Sequence, residues 1–306
     1  SLLERMAEVY DEPFMDPSHV PTYVLSEFAR RQVKVALTGD GADELYGGYA
    51  WYPLVALSTT VPSSAVAWFV LRATSRLLAD RYRSLSTYSR AMGMAVRWPD
   101  AWRRYVRYRQ VFSDAERRAL FAGNDAGVQT FPNDFFRPDD DIAGLNRALH
   151  FDLTAFLPGD ILVKVDRAAM AHGLETRAPF LDRELVEFAL SLPPTLKVDA
   201  RQTKILFKQA LAPLWPEAIR TRPKQGFAGP FAPWLRRDEV QRAVQRVLDA
   251  ASPLSQLLPG IDRRRVRMSP QRTWSLLTLG LWLERHGRTE LAGNELRAPL
   301  AMAGAQ

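Results

Sequence analysis

The chain has 306 residues, of which 47% are hydrophobic and 25% are charged, and its formal net charge is +7. These proportions are typical of a globular protein and exclude a wholly disordered chain. The absence of cysteine excludes disulfides, thiolate metal sites and a cysteine nucleophile within these residues. No secretory signal is recognisable, and the most apolar stretch, residues 65–71, is far too short to cross a bilayer. We therefore predict a cytoplasmic protein with no membrane partner.

The first fifty residues predict one helix followed by one strand. Periodic apolar residues and two final arginines predict a helix over 22–31. The β-branched stretch Val33–Leu37 predicts a short, buried strand, and no other strand is identified. A strand that runs into a glycine-rich acidic loop is typical of a parallel α/β sheet, whose ligands bind at the carboxyl ends of the strands. Residues 1–50 are therefore expected to be the last part of a nucleotide-binding α/β core.

Helical patterns dominate from residue 52 onward, with proline and glycine between them. The predicted helices are 64–79, 86–95, 101–111, 114–122, 145–156, 160–172, 183–191, 202–212, 238–249 and 271–286. Ser113 and Glu116 form a capping box at the start of the fourth helix. We therefore predict a mainly α chain, with a helical part over 51–290 and a disordered tail over 291–306.

Arginine and aromatic residues alternate between residues 102 and 109, a pattern found in nucleic-acid-binding surfaces. At helical spacing, however, the aromatic residues Trp102, Tyr105 and Tyr108 can form a buried face together with Val106, with the arginines at its rim. We favour the buried face and keep nucleic-acid binding as a minor alternative.

A cluster of carboxylates follows the predicted strand in the stretch TGDGADE, residues 38–44. Its glycines allow backbone N–H groups to approach a ligand closely. Asp40 and Asp43 suit a hard cation such as Mg²⁺, which takes one or two protein carboxylates and keeps phosphate oxygens and water. Alternatively, Asp43 and Glu44 only cap a helix that begins near Leu45.

A lysine lies in a constrained turn in the stretch TRPKQGF, residues 221–227. Pro223 restricts the backbone and Gly226 permits a sharp turn, so that Lys224 is presented on an ordered loop. A lysine held in this way neutralises charge that develops on a phosphate or on a tetrahedral oxygen. The alternative is an ordinary exposed cation.

Charged residues are dense within the apolar stretch 157–182. On an α-helix Asp160 and Lys164 are neighbours, and Lys164 shares a face with Arg167. These residues predict a buried ion network that either positions helices or contacts a substrate. Its other predicted members are Asp166, Glu175 and Arg177, together with Glu44 of the acidic loop.

Together and in this order, the three stretches resemble the synthetase domain of glutamine-dependent asparagine synthetases. The family pattern S-G-[ED]-G-x-D-E-x-F-G-G-Y appears here as TGDGADELYGGY, and R-P-K-x-G-F appears as RPKQGF. The pattern D-x-L-x-K-x-D-R-x-x-M-A-x-x-L-E-x-R-x-P-F-L-D appears as DILVKVDRAAMAHGLETRAPFLD. The segments DEPFMDPSHVPTY and TWSLLTLGLWLERHG are also similar to that family, so that the resemblance covers residues 1–287.

The resemblance implies an ATP-pyrophosphatase fold and an ATP-dependent amidation. ATP would activate a carboxylate, aspartate by preference, as an acyl-adenylate with release of pyrophosphate, and ammonia would then displace AMP. Such chemistry depends on positioning and charge neutralisation, in agreement with the residues of the three stretches.

The resemblance also implies roles for individual residues. Thr38, Gly39 and Gly41 would bind ATP with Asp40, which would also orient the substrate or the incoming ammonia. Asp43 would bind magnesium. The lysine of the RPKQGF turn, Lys224, would stabilise the pyrophosphate leaving group and the adenylate.

Two parts of the family pattern have no counterpart in these 306 residues. They are the pyrophosphate loop S-G-G-x-D-S and the glutaminase domain, whose cysteine nucleophile generates ammonia. We therefore expect this chain to be the C-terminal part of a longer synthetase, and to be inactive and poorly soluble alone. Ammonia would be supplied by a glutaminase domain outside these residues. A homo-oligomer is compatible with the sequence. The alternative is a non-catalytic helical module that docks a separate chain.

Overall fold

The computed structural model describes residues 1–60, 109–122, 144–199, 201–220, 229–267 and 269–287, together with residues 66, 67, 69, 70, 73, 102, 105, 106, 222, 226 and 227. The predicted helix 86–95 and the predicted tail 291–306 lie outside the described residues, as does most of the predicted helix 64–79.

The described chain is mainly helical, as predicted. Its α-helices are α1 (Leu2–Val9), α2 (His19–Arg30), α3 (Ala42–Tyr46), α4 (Trp51–Thr60), α5 (Asp114–Leu120), α6 (Gly144–Phe151), α7 (Val163–Met170), α8 (Arg183–Ser191), α9 (Ile205–Leu211), α10 (Glu217–Arg220), α11 (Phe231–Trp234), α12 (Asp238–Val247), α13 (Pro253–Leu257), α14 (Arg263–Arg267) and α15 (Pro270–His286). Short 3₁₀ helices cover Pro179–Leu181 and Pro194–Leu196. The capping box of Ser113 and Glu116 at the start of α5 is confirmed.

A second strand, missed by the sequence analysis, completes a small parallel sheet. Strand β1 (Val35–Leu37) pairs with β2 (Glu175–Arg177), with Val35 opposite Glu175 and Leu37 opposite Arg177. The Glu-Thr-Arg sequence of β2 is short and polar, so it lacks the alternation that identifies a strand. The pairing brings the loop after β1 next to the chain that follows β2.

Strand β1 was predicted to be buried, and this prediction is wrong for the described residues. Leu37 is 76% exposed and Val35 is 49% exposed. Within the described part of the chain, β1 is paired along one edge only, by β2. The side chains of Val35 and Leu37 are therefore open to solvent.

One continuous helical segment replaces the two helices predicted at 145–156 and 160–172. Helix α6 runs into a π-helix over Asp152–Leu162, and this continues directly into α7. Pro158 lies inside the π-helix. Proline lacks the N–H donor that an α-helix needs, so the sequence predicted a break, whereas the wider π turns carry the chain past it.

The largest apolar core is built around α15. Trp274 and Leu277 of α15 are buried against Val244 of α12, Leu254 of α13 and Met6 of α1. This packing fixes α1, and with it the start of the chain that leads into α2.

A second core packs α4 against α6 and the chain near residue 105. Tyr52 and Leu149 are buried together with Trp102, Tyr105 and Val106. The predicted buried face is therefore confirmed for Trp102, Tyr105 and Val106, while Tyr108 lies outside the described residues. The rings of Trp102 and Tyr105 are not available to stack on nucleic-acid bases. Among the described residues no helix has the length and apolarity needed to cross a membrane.

Candidate functional site

A cleft of about 720 Å³ opens at the carboxyl end of β1. Residues 38–41, 43 and 44 line it, as expected for a ligand site at the end of a parallel strand. Lys164 of α7 and Thr176 of β2 line another side. Residues far apart in sequence therefore meet in one cleft.

The constrained turn predicted at 221–227 also reaches this cleft. Gly226 and Phe227 are among the residues that line it. Lys224 itself lies outside the described residues. The position of its neighbours shows only that this segment borders the cleft.

Gly41 of the loop permits close packing. Gly41 has φ +90°, and a Cβ built on it would lie 2.3 Å from Leu181 Cδ2. Helix α3 begins at Ala42 with Gly41 as its N-cap residue, three residues before the predicted start. Asp43 and Glu44 lie in the first turn of α3 and do not occupy the capping position, so the capping alternative is wrong.

Asp43 is held by an ion pair that the sequence analysis did not predict. Its Oδ1 lies 2.7 Å from Lys204 Nζ, and both side chains are about four-fifths buried, with exposures of 18% and 19%. The carboxylate also packs on Gly48, because a Cβ there would lie 1.8 Å from Asp43 Oδ1. The loop carboxylate is therefore oriented before any ligand binds.

The carboxylates of the loop fit a magnesium ion with an incomplete set of protein ligands. Asp40 and Asp43 both line the cleft, and carboxylate oxygens are the ligands that Mg²⁺ prefers. Within the described part of the chain, no group of three or more His, Cys, Asp or Glu residues could hold a metal ion. The donor set thus fits a cation that keeps phosphate or water ligands, not one enclosed by protein.

Glu44 turns inward from the loop and is only 2% exposed. The Tyr49 hydroxyl donates a hydrogen bond of 2.5 Å to its Oε1. Burial raises the pKa of the Glu44 carboxyl, and the bond from Tyr49 partly opposes this. Tyr49 in turn stacks on Trp51, with ring centroids 4.2 Å apart, so Glu44 helps to place an aromatic wall of the cleft.

Lys164 lines the cleft as part of an ion pair with Asp16, which the sequence analysis missed. Lys164 Nζ lies 2.7 Å from Asp16 Oδ2, and the side-chain exposures are 9% and 21%. The hydroxyl and backbone N–H of Ser18 donate to the same Asp16 carboxylate. Asp16 is 148 residues from Lys164 in sequence. The signal for it was its place within DEPFMDPSHVPTY, one of the segments similar to the family.

Asp160 belongs to the same cluster, but it is not the ion-pair partner of Lys164 that helical spacing predicted. The π-helix changes the spacing between the two residues, and Asp16 takes the lysine. Burial raises the pKa of Asp160 to about 7, with the neighbouring Asp16 charge adding to the effect and Lys164 and Arg109 opposing it. Asp160 adjoins Ile161, which lines the cleft, and its raised pKa favours the protonated carboxyl there.

The remaining members of the predicted buried network are exposed, and this part of the prediction is wrong. Asp166 and Arg167 lie on the exposed face of α7. Glu175 and Arg177 pair at 2.6 Å with exposures of 51% and 67%. Alternate residues of a strand face opposite sides, and Thr176 is the one that faces the cleft. Exposed ion pairs of this kind contribute little to stability.

A buried carboxylate behind the cleft was also missed. Asp152 is 0% exposed and accepts hydrogen bonds from the Tyr52 hydroxyl at 2.6 Å, from Trp51 Nε1 at 3.3 Å and from the Tyr105 hydroxyl. Burial raises the pKa of this carboxyl, while the Arg109 charge and the three donors oppose the shift. The sequence offered no signal, because the three donors are 47 to 101 residues away.

The Asp152 cluster supports the aromatic wall of the cleft. Trp51 lines the cleft together with Phe156. The Arg109 guanidinium lies 4.3 Å from the centroid of the Trp51 ring and 3.9 Å from that of Phe156. The wall is therefore fixed by a hydrogen bond from behind and by a cation that contacts both rings.

The fold and the site together define a class of protein. It is a mainly helical chain with a small parallel sheet and an acidic cleft at the carboxyl end of that sheet. The family model described as asparagine synthase matches residues 1–284. The chain belongs to the asparagine synthase family, and the resemblance seen in its motifs is confirmed.

The proteins that are similar to this chain include asparagine synthetases and an amidase. A protein of Mycobacterium tuberculosis named putative asparagine synthetase (glutamine-hydrolyzing) is 32% identical over 301 residues, covering 89% of this chain and 42% of that protein. Asparagine synthetase (glutamine-hydrolyzing) 1 of Bacillus subtilis is 29% identical over 250 residues, covering 80% of this chain and 38% of that protein. The amidase chyE of Penicillium rubens is 26% identical over 249 residues, covering 72% of this chain and 36% of that protein. The chain thus spans less than half the length of these relatives.

Proposed function

We propose that this chain is the synthetase part of an ATP-dependent amide ligase. The observation that carries the proposal is the convergence of the three motif segments, through residues 38–44, Lys164 and Gly226–Phe227, on one cleft at the end of a parallel strand. Residues 1–290 would then form one synthetase region, in which residues 1–50 contribute to an ATP-pyrophosphatase core and residues 51–290 form the helical part.

The proposed reaction has two steps. A carboxylate oxygen, of aspartate by preference, attacks the α-phosphorus of ATP, and the bond to pyrophosphate breaks to leave an acyl-adenylate. Ammonia then attacks the acyl carbon, AMP leaves, and the amine loses a proton to give asparagine. Because the chain has no cysteine, a cysteine-dependent glutaminase that hydrolyses glutamine would lie outside these residues.

The residue roles that we propose come from the family resemblance and are supported by the position of these residues in the cleft lining. Thr38 and the backbone of Gly39 and Gly41 would contact the nucleotide, and Asp40 would orient the substrate or the incoming ammonia. Bound magnesium would supply charge neutralisation for the phosphates, with Asp43 as its protein ligand. Lys224 would neutralise the leaving pyrophosphate.

Product analysis tests the proposal. The full-length protein, incubated with ATP, aspartate and ammonia, should form AMP, pyrophosphate and asparagine in equal amounts. Formation of ADP and phosphate, or no ATP turnover with any carboxylate, would overturn it. AMP formation with another acid alone would change the substrate.

A matched pair of variants tests the cleft. Asp40→Asn should lower the rate of AMP formation by about 10²-fold or more, as expected when an orienting group is lost. Asp238→Asn makes the same change on the exposed first turn of α12, outside the cleft, and should leave the rate unchanged. Equal rates for the two variants would reject the role of Asp40.

A further inference from the structure

The lysine that holds Asp43 is in an unusual backbone conformation. Lys204 has φ 55° and ψ 41°, one of two non-glycine residues with positive φ in the described part of the chain. This left-handed conformation is disfavoured for a residue with a Cβ, and it persists where the surroundings impose it. Here Ile205 N–H donates to the Lys197 carbonyl at 3.0 Å, and Val198 bridges to Thr203, so the turn is closed on both sides.

Lys204 reaches the carboxylate from the protein side. Asp43 lines the cleft, whereas Lys204 does not. The lysine crosses Gly48, where a Cβ would lie 2.3 Å from Lys204 Cε, and its Nζ is 5.7 Å from the Phe207 ring centroid. The lysine is thus built into the wall behind the carboxylate.

This arrangement neutralises the charge of Asp43, a loop carboxylate that is held in a fixed position. A divalent cation that enters the cleft alone meets Asp43 already neutralised by an ammonium 2.7 Å away. A cation that enters with nucleotide phosphates brings its own negative charge, and needs from Asp43 only an oriented oxygen. The repulsion from Lys204 therefore weighs most on the cation without nucleotide.

We propose that Lys204 is a positioning residue that orients Asp43 from behind and makes divalent-cation binding at this loop depend on nucleotide phosphates. The inference rests on the proposed role of Asp43 as the magnesium ligand. Lys204 lies outside the three motif segments, and its proposed role is to set the order in which nucleotide and cation bind.

Manganese binding without catalysis tests the inference. Free Mn²⁺ is measured by electron paramagnetic resonance during titration of the full-length protein, with and without a non-hydrolysable ATP analogue. Without nucleotide, Lys204→Met and Lys204→Gln should bind Mn²⁺ at least about tenfold more tightly than the wild type, even if the repulsion is screened as in water. With the analogue, this difference should shrink. Two neutral variants are used so that one that misfolds, as seen by circular dichroism, does not decide the result.

Control variants separate charge from packing. Lys204→Arg keeps the charge, and Lys208→Met removes a cation one turn further along α9; both should bind Mn²⁺ like the wild type. The gain in Lys204→Met should disappear when Asp43→Asn is added. Unchanged or weaker Mn²⁺ binding in both neutral variants would overturn the inference.

The same titration distinguishes the two proposals. If Asp43→Asn weakens Mn²⁺ binding with the analogue but the neutral Lys204 variants do not tighten it without nucleotide, only the role of Lys204 fails. If Asp43→Asn has no effect under either condition, the magnesium assignment fails, and the inference fails with it.

Discussion

Two of the buried cores in the described part of the chain are stabilised by different physics. The core around α15 is apolar, with Trp274 and Leu277 packed among other apolar side chains. The core behind the cleft contains a carboxylate, Asp152, that three aromatic residues satisfy by hydrogen bonds. The first core is insensitive to the orientation of individual groups, whereas the second requires each donor to point at one centre.

The comparison shows which of these two cores determines the orientation of side chains at the site. Of these two cores, the one that contains Asp152 borders the cleft, because Trp51 donates a hydrogen bond to Asp152 and also lines the cleft. An apolar core fixes volume, but a buried hydrogen-bonding centre also fixes ring orientation. The aromatic wall of the site therefore depends on a residue that does not itself reach the ligand.

The sharpest test of this comparison is Asp152→Leu. The change leaves the donors of Trp51, Tyr52 and Tyr105 without their acceptor, and we expect it to lower the free energy of unfolding by about 4 kcal/mol. Chemical denaturation at neutral pH measures this loss. Asp152→Asn keeps the volume and an acceptor and should cost much less; equal losses for the two variants would show that the site only fills space.

A truncation in the apolar core is expected to have a slightly smaller effect. Leu277 is 1% exposed, and Leu277→Ala should lower the free energy of unfolding by about 3 kcal/mol through lost burial and a cavity. The same denaturation experiment measures it. Because Trp51, which Asp152 holds, lines the cleft, Asp152→Leu should also weaken nucleotide binding, whereas Leu277→Ala should leave it unchanged. A loss of nucleotide binding at temperatures where Leu277→Ala is folded would contradict the separation of the two cores.

The remaining prediction concerns pH. Since the pKa of Asp160 is raised from 3.8 to about 7 in the folded chain, its contribution to stability is full below pH 4 and is lost as the pH rises toward 7. In that window the free energy of unfolding should fall with a slope of up to about 1.4 kcal/mol per pH unit from this one proton.

Asp160→Asn isolates this contribution. The difference in unfolding free energy between wild type and variant should change steadily between pH 4 and pH 7 and then level off. Denaturant titrations at several pH values measure it. A difference independent of pH would show that Asp160 titrates at its ordinary pKa in the folded chain.

Several features could be predicted because their cause is local. The capping box of Ser113 and Glu116 involves residues three apart, and the periodicity of α8, α12 and α15 lies within each helix. The glycine-rich stretch directly follows β1, so a ligand site was expected at its carboxylates from their place at the end of a parallel strand, and residues 38–41, 43 and 44 line the cleft. In each case the interacting groups are neighbours in sequence.

Other predictions failed because segments that are neighbours in space outweighed the local sequence pattern. Pro158 signals a helix break, but the chain continues through it as a π-helix. That change moved Lys164 from the expected partner Asp160 to Asp16. Likewise, β2 has no strand signal of its own and forms because β1 offers it a ladder.

By itself, then, the sequence determined a mainly helical chain, the acidic loop at the end of a strand and membership of a family whose motifs it carries. Only the tertiary structure decided which charges face each other: Asp43 with Lys204, Asp16 with Lys164, and Asp152 with its aromatic donors. The physical reason is distance along the chain. Local propensity acts over a few residues, whereas a buried charge is satisfied by whatever partner packing brings within hydrogen-bond distance.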